Sequence, residues 1–402
     1  MKLIVHIGTE KTGSSSLQLW GERNRVALKK DGIFYSQSLG DTDHRKASLY
    51  PLTFGDNDDG FDRYSITSEE AFARFKNQVR LDLEQEVAEA KGLGCGYFFV
   101  SSEHFHSRVL NDEMVNQVKD LFTSFFNDED ILVLAYLRPQ AELFQSRISV
   151  GVRNMTHSPG ELDSLWKRDV LYFDYLSLWS RWSQAFSNVT FKPFNKYKNI
   201  ILDVCSILDI DIDDYENPER VNEKLDYRMG LISFNLRERI KNINLKRSLV
   251  NLYLEQIPCK EAISISRTLA SEINSFYYQS NMELCKVNSD FTLNDLSSDV
   301  RKFPVEGTAE KMFTSDGSID YLLDILIRNY INIHMLRCEK QIITIERALA
   351  RNNIDNAIFF KEKLDGMLDE FSGVQFDKAN LNDVEHQINQ LKNKVKNLKI
   401  EG

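Results

Sequence analysis

Residues Leu3–Gln18 read LIVHIGTEKTGSSSLQ: a short branched-aliphatic run, a turn holding Gly8 and Gly13, then three serines opening an apolar-periodic stretch. The run is short and rich in β-formers, so it reads as a buried strand, Leu3–Ile7. From about Ser15 to Lys30 the pattern continues as one helix. A strand, a Gly-rich turn and a helix in immediate succession aim several backbone N–H groups at one point. The helix N-terminus adds about half a positive charge. Such a geometry binds phosphate or sulfate.

Outward from this stretch, short apolar runs keep alternating with helical patterns. A helix over Ser68–Lys91 ends at Gly92, Gly94 and Gly96 and is followed by the strand YFFVSSE, Tyr97–Glu103. A helix near Asp112–Phe126 leads to ILVLAYLR, Ile131–Arg138, the most apolar strand pattern in the chain. Pro139 starts the next helix, because proline suits a first helical turn. Tyr172–Phe186 reads as a helix, Val189–Phe194 as a strand and Asn199–Leu208 as a helix. The order βαβαβααβα predicts an α/β protein with a parallel sheet flanked by helices.

After Asp211 the strand patterns stop. Asn222–Asn288 reads as helical with few breaks, and Phe291–Gly317 as a loop-rich stretch holding Pro304, Gly307 and Gly317. Beyond it lies an all-helical C-terminal extension, residues 319–402. Leu322, Leu326, Tyr330 and Ile333 repeat at helical spacing, as do Ile342, Ile345 and Leu349. Leu381, Val384, Ile388, Leu391, Val395 and Leu398 form an a/d stripe over about two and a half heptads. This predicts a helical bundle or short coiled coil that packs on itself, on a second copy as a homodimer, on a protein partner, or as a stabilising lid over the preceding domain.

Composition narrows the class. The 402 residues are 42% hydrophobic and 27% charged, an ordinary globular balance. No apolar run approaches the about 20 residues of a membrane span. The opening MKLIVHIG is too short for a signal peptide and runs straight into the turn, so a cytoplasmic location is expected. Cys95, Cys205, Cys259, Cys285 and Cys338 are scattered, without metal-ligand spacing, and are expected as reduced thiols. A net charge of −10 argues against a nucleic-acid partner, yet leaves room for a local basic pocket around a small anion.

Two elements decide which anion. Gly8 and Gly13 have the Walker A spacing, but Ser14 stands where that motif needs its lysine, and Lys11 sits in mid-loop. A nucleotide kinase also needs a Mg²⁺ site, which the sequence does not indicate. At the end of the third strand pattern stands Arg138, and eight residues on, through the Pro139-started helix, Ser146. An arginine offers a planar fork for phosphate, and a serine hydroxyl adds to it.

Lys11-Thr12-Gly13-Ser14-Ser15-Ser16 resembles the 5′-phosphosulfate loop of sulfotransferases that use 3′-phosphoadenosine 5′-phosphosulfate (PAPS). Arg138 and Ser146 resemble the pair that holds the 3′-phosphate in that family. SSEHF (Ser101–Phe105), FDYLSLWSRWSQAF (Phe173–Phe186), VTFKPF (Val189–Phe194), RVNEK (Arg220–Lys224) and FYYQSNMEL (Phe276–Leu284) are similar to bacterial polysaccharide-modifying members. The resemblance covers roughly residues 1–310. It implies a P-loop-type sulfotransferase domain there, with a PAPS-binding core over about 1–210 and a helical part over 211–310. It further implies PAPS as sulfuryl donor, adenosine 3′,5′-bisphosphate as product, no metal, and a carbohydrate or polysaccharide hydroxyl as acceptor. Thr12, Gly13, Ser14, Ser15 and Ser16 would hold the 5′-phosphate. Glu10 stands where such loops often carry proline, and a carboxylate there repels an anion unless its side chain turns outward.

The chemistry assigns roles. Sulfuryl transfer is an in-line attack by the acceptor oxygen, with charge growing on the bridging oxygen of the departing nucleotide. Lys11 is placed to stabilise that charge. A base beside the loop must take the acceptor proton. Glu103, at the end of its strand, is the first candidate, with His104 and His106 as alternatives. His6, inside a strand, reads as a core or loop-supporting residue. Gly151–Lys167, with Arg153, Lys167 and Arg168 nearby, is either an acceptor-side loop or a solvated connection. Two other functional classes stay open at this point: a P-loop nucleotide kinase, and a non-catalytic scaffold on a degenerate sulfotransferase fold.

Overall fold

The computed structural model describes residues 1–154, 162–197, 199–217, 225–230, 232–233, 259–309, 312, 317–351, 353–369, 390 and 393. The chain opens with β1 (Lys2–His6), α1 (Ser14–Arg23), α2 (Arg25–Lys30) and β2 (Ile33–Tyr35). Next come α3 (Arg45–Leu49), α4 (Asp59–Arg63), α5 (Glu69–Gly92) and β3 (Tyr97–Ser101). Then follow α6 (His104–Arg108), α7 (Asp112–Thr123), β4 (Ile131–Leu137), α8 (Gln140–Asn154) and α9 (Leu162–Arg168). α10 (Val170–Phe173), α11 (Tyr175–Ala185), β5 (Val189–Pro193) and α12 (Ile200–Leu208) complete the sheet region. Further on are α13 (Arg267–Val287), α14 (Leu293–Leu296), α15 (Gly317–Ala350) and α16 (Ile354–Asp369).

The chain divides into two compact units. The first comprises Met1–Ser146, Ser164–Glu223 and Arg267–Lys302; the second comprises Arg147–Asp163, Lys224–Ser266 and Phe303–Gly402. The first holds an all-parallel five-stranded sheet in the order β2-β3-β1-β4-β5, flanked by helices. β1 is central: Ile4 pairs with Phe99 of β3 on one side and with Leu132 of β4 on the other. Leu3, Val5, Phe98, Phe99, Val133 and Leu134 have no solvent exposure, as expected of strands covered on both faces. Leu17 and Trp20 of α1 are also fully buried and pack with Ile4, Tyr136 and Val204. Each such side chain contributes about 1.5–3 kcal/mol through burial.

The strand order places a crevice. From β1 the chain leaves towards the β2 edge, and from β4 it leaves towards the β5 edge. The loops that follow these two neighbouring strands therefore part at the C-terminal edge of the sheet, where ligands of α/β folds bind. α13 joins this unit by packing on α11. It is tied by a reciprocal pair between the buried Gln140 and Asn281 amides (2.8 and 3.1 Å) and by Tyr277, whose hydroxyl donates to the Trp166 carbonyl (2.8 Å).

In the second unit α15 and α16 pack against each other, burying Cys338, Ile342 and Ile345 against Ala357 and Leu364. The turn between them closes with Asn353 N–H donating to Ala348 O (2.9 Å), and Asn353 Oδ1 accepts from Asn356 N–H (3.2 Å). Ile342 and Ile345 of the sequence stripe are buried as expected, whereas Ile333 is 53% exposed. The stripe Leu381–Leu398 lies outside the described residues. No helix among the described residues is long and apolar enough to cross a membrane.

Four elements differ from the sequence expectation. β2 was not expected: Ile33–Tyr35 is only three residues, too short to show a period, yet it pairs in parallel with β3. The single helix over Ser15–Lys30 is two, broken at Asn24. There the Asn24 amide donates to Trp20 O and to Glu216 O (both 2.9 Å) and its carbonyl accepts from Glu216 N–H (2.8 Å). A side chain that bonds backbone groups in this way competes with helix continuation. The helix over Tyr172–Phe186 is likewise broken at Asp174, whose carboxylate accepts from Leu176 and Ser177 N–H and so caps α11. Within Asn222–Asn288, residues 259–266 are not helical: Ala262 bridges to Asp226, whose carboxylate accepts from Lys260 and Glu261 N–H (2.8 and 3.0 Å).

Two buried histidines make a prediction. Burial holds the His6 imidazole down at about 3 and that of His44 at about 4. In the unfolded chain both return to ~6.5. Between those values the unfolded state binds protons that the folded state refuses, so stability rises with pH in that window. The contribution is complete above ~6.5 and falls away as pH drops towards 4 and 3, by about 1.4 kcal/mol per pH unit per histidine. The urea midpoint should therefore fall clearly between pH 7 and pH 5, above the usual carboxylate range. A midpoint flat over that interval would contradict the burial of both rings.

Candidate functional site

The loop after β1 is built on left-handed backbone. Gly8, Lys11 and Gly13 have φ of 76°, 67° and 86°. At Gly8 glycine is required twice over: the φ disfavours any Cβ, and a Cβ there would stand 2.7 Å from Glu103 Cα. Hydroxyls brace the turn from inside. Thr9 donates to Tyr136 O (2.8 Å), and Thr12 and Ser14 both donate to Thr9 O (2.6 and 3.2 Å). Each of those hydroxyls has one proton, so Thr12 and Ser14 reach an anion as donors only by releasing Thr9. Ser15 is exposed and Ser16 half-buried. The first N–H groups of α1 lack intrahelical partners, Gly13 at the cap has no side chain to offer, and the first turn carries no acidic residue. Lys11 is exposed at the turn.

Glu10 does not face this turn as a bare charge. Its Oε2 accepts from the Tyr172 hydroxyl at 2.7 Å. Burial alone would raise this carboxyl, but the nearby His106 ring and the Tyr172 hydrogen bond lead the effects that hold it below its ordinary value.

Arg138 reaches the loop across the crevice between β1 and β4. Its Nη1 donates to Lys11 O (3.4 Å), its Nε to Glu142 Oε2 (3.2 Å), and its guanidinium lies 5.9 Å from the Phe194 ring centre. The Tyr175 hydroxyl fixes its backbone by donating to Arg138 O (2.5 Å). Ser146, half-buried on α8, is one i,i+4 step beyond Glu142. Arg138 lies two residues ahead of α8 and contacts Glu142 in its first turn, and Ser146 follows Glu142 along that face of the helix.

Glu103 leaves the end of β3 directly beside Gly8, and its Oε2 accepts from the amide of Gln18, a buried residue of α1. Glu103 stands at the N-cap of α6 but makes no side-chain capping bond there, and Arg108 bonds Asp58. The loop after β1, Arg138 and Glu103 are thereby brought together, while the three histidines differ among themselves. His104 is partly exposed, with Nε2 3.9 Å from Asp43 Oδ2. Burial, followed by the Arg45 charge, lowers its imidazole, which keeps the ring neutral at pH 7. His106 is fully buried and its Nε2 meets Tyr172 O (2.9 Å). His6 is a core residue, with Nδ1 2.8 Å from Ser101 Oγ.

Several residues of this region carried no signal in the sequence. Arg45 is fully buried and ion-paired to Asp58, which also accepts from Arg108 Nε (2.8 Å). Burial would raise the Asp58 carboxyl, but Arg45 pulls it below its ordinary value. The network pins the segment around α3 and α4 beside Ser102 and His104. Gln18, Glu142 and Tyr172 are also ordinary residues in sequence, and only the fold aligns them with the loop. No protein-family model, no curated protein and no solved structure matches this chain.

Proposed function

We propose that the crevice at the C-terminal edge of β1 and β4 binds PAPS, and that the protein transfers its sulfuryl group to a hydroxyl. In this reading the turn of residues 8–13 is of the P-loop type. The N–H groups opening α1, with Ser15 and Ser16, take the 5′-phosphate, and Thr12 and Ser14 join on releasing Thr9 O. Arg138 and Ser146 take the 3′-phosphate, with Glu142 giving up or sharing the Arg138 fork. Lys11 stabilises charge on the departing bridging oxygen, and Glu103 accepts the acceptor proton, held in place by Gln18. PAPS itself supplies the activated sulfuryl group. The acceptor is a carbohydrate or polysaccharide hydroxyl, and residues 319–402 serve a second copy or a protein partner.

One observation carries the reading: Arg138 donates to the Lys11 carbonyl, so the 3′-phosphate candidate and the 5′-phosphate loop share one crevice. The hydrogen bond from the Tyr172 hydroxyl to Glu10 supports it, since the carboxylate is not left bare in the turn. Removing an arginine fork from a partly buried phosphate typically costs about 2–5 kcal/mol. Arg138→Ala should therefore weaken adenosine 3′,5′-bisphosphate binding at least about tenfold while leaving the melting temperature nearly unchanged. Unaltered affinity in a folded Arg138→Ala protein would sink the assignment of that residue.

A further inference from the structure

Between the N-terminal end of α7 and one side of α11 lies an open groove of about 430 Å³, whose wall includes Asp112, Leu171, Leu176, Ser177, Ser180 and Arg181. Arg181 is the unusual member. It is 7% exposed, and its Nε and Nη2 are buried without hydrogen-bond partners. Burial lowers its pKa, and Asp112 and Asp174 oppose that shift from a distance without supplying a hydrogen bond to either nitrogen. Buried charged donors left unpaired are costly and rare, so each demands an explanation. Nε and Nη2 form the edge of the guanidinium that matches the two oxygens of a carboxylate.

We propose that this groove binds a small monocarboxylate with a short branched apolar tail. The carboxylate meets the Nε–Nη2 edge of Arg181, with the Ser180 hydroxyl beside it. Both nitrogens are closed to solvent as the side chain stands, so the fork turns towards the groove on binding. The tail lies on Leu171, which is 45% exposed, and on Leu176. Asp112 on the same wall disfavours a second negative charge on the ligand, which selects a monocarboxylate over phosphate, sulfate or a nucleotide. The inference does not depend on the sulfotransferase reading, because none of these residues belongs to the loop, Arg138 or Glu103.

Ligand-observed saturation-transfer NMR on the full chain tests it, with isovalerate as the probe and isovaleramide as its uncharged twin. Isovalerate should bind at least about tenfold more tightly than the amide, as a charge-assisted fork requires. Arg181→Met should abolish that difference, and Leu171→Glu, a change at an exposed position, should weaken isovalerate several-fold. If Arg181→Met does not fold, Leu171→Glu against Leu171→Lys decides, since the glutamate variant must bind the acid more weakly than the lysine one. Absence of isovalerate binding, equal binding of acid and amide, or indifference of the acid to the charge placed at position 171 would each overturn the proposal.

Discussion

Glu103→Gln should bind adenosine 3′,5′-bisphosphate as the parent does and yet consume PAPS about 10²–10⁴-fold more slowly, the usual loss on removing a general base. The substitution is nearly isosteric, and a glutamine carbonyl at this position still accepts the Gln18 amide proton that Glu103 Oε2 accepts now. The side chain stays beside Gly8 and only its basicity is lost. Release of adenosine 3′,5′-bisphosphate from PAPS reads the rate, and titration reads the binding. A near-normal rate in Glu103→Gln together with a dead His104→Ala would move the role to His104. That ring, neutral at pH 7 and partly exposed, is chemically able to accept a proton. His106 is a weaker rival, because it is fully buried with Nε2 committed to the Tyr172 carbonyl.

Gly8→Ala should cost far more stability than its size suggests, and Gly94→Ala supplies the control. The two glycines have nearly the same φ, 76° and 73°, so backbone strain is common to both. A Cβ at Gly94 meets nothing within 4 Å, whereas one at Gly8 meets Glu103 Cα at 2.7 Å, a backbone-borne atom that does not swing aside. Strain alone costs about 1–3 kcal/mol, and overpacking adds about 1–3 kcal/mol. Gly8→Ala should thus lose about 2–6 kcal/mol in urea unfolding, and Gly94→Ala only the strain component. Equal losses at the two positions would mean that the loop and Glu103 are not in contact.

Legibility in the sequence followed the length and polarity of each element. Three strands stand out as apolar runs bounded by turn residues, and β4, the most apolar, is buried through nearly its whole length, while β5, VTFKP, shows instead as an alternating pattern. β2 escaped because three residues carry no period, and it gains its place only by pairing with β3. The breaks at Asn24 and Asp174 are side-chain events: an amide bonded to Glu216 and a carboxylate capping α11. Hydrophobic period does not register either. Within the candidate site, the Gly-rich turn stands out by residue type and spacing, and Arg138 by its resemblance to the sulfotransferase pattern. What spacing does not reveal are partners far apart in sequence. Gln18 and Glu103 are 85 positions apart, and Tyr172 and Glu10 are 162 apart. The hydrogen bond that holds Glu10 is the second of these contacts and follows from nothing local.

In the proposed function the turn after β1 and the arginine after β4 form one site for two phosphate groups on a single nucleotide. Isothermal titration of the full chain with adenosine 3′,5′-bisphosphate, AMP and ATP decides whether they do. Binding of the bisphosphate at least about tenfold tighter than either of the others is the predicted result, because only that ligand offers a phosphate to Arg138 while another sits in the turn. Equal affinity for AMP and the bisphosphate, or a preference for ATP, would contradict the account.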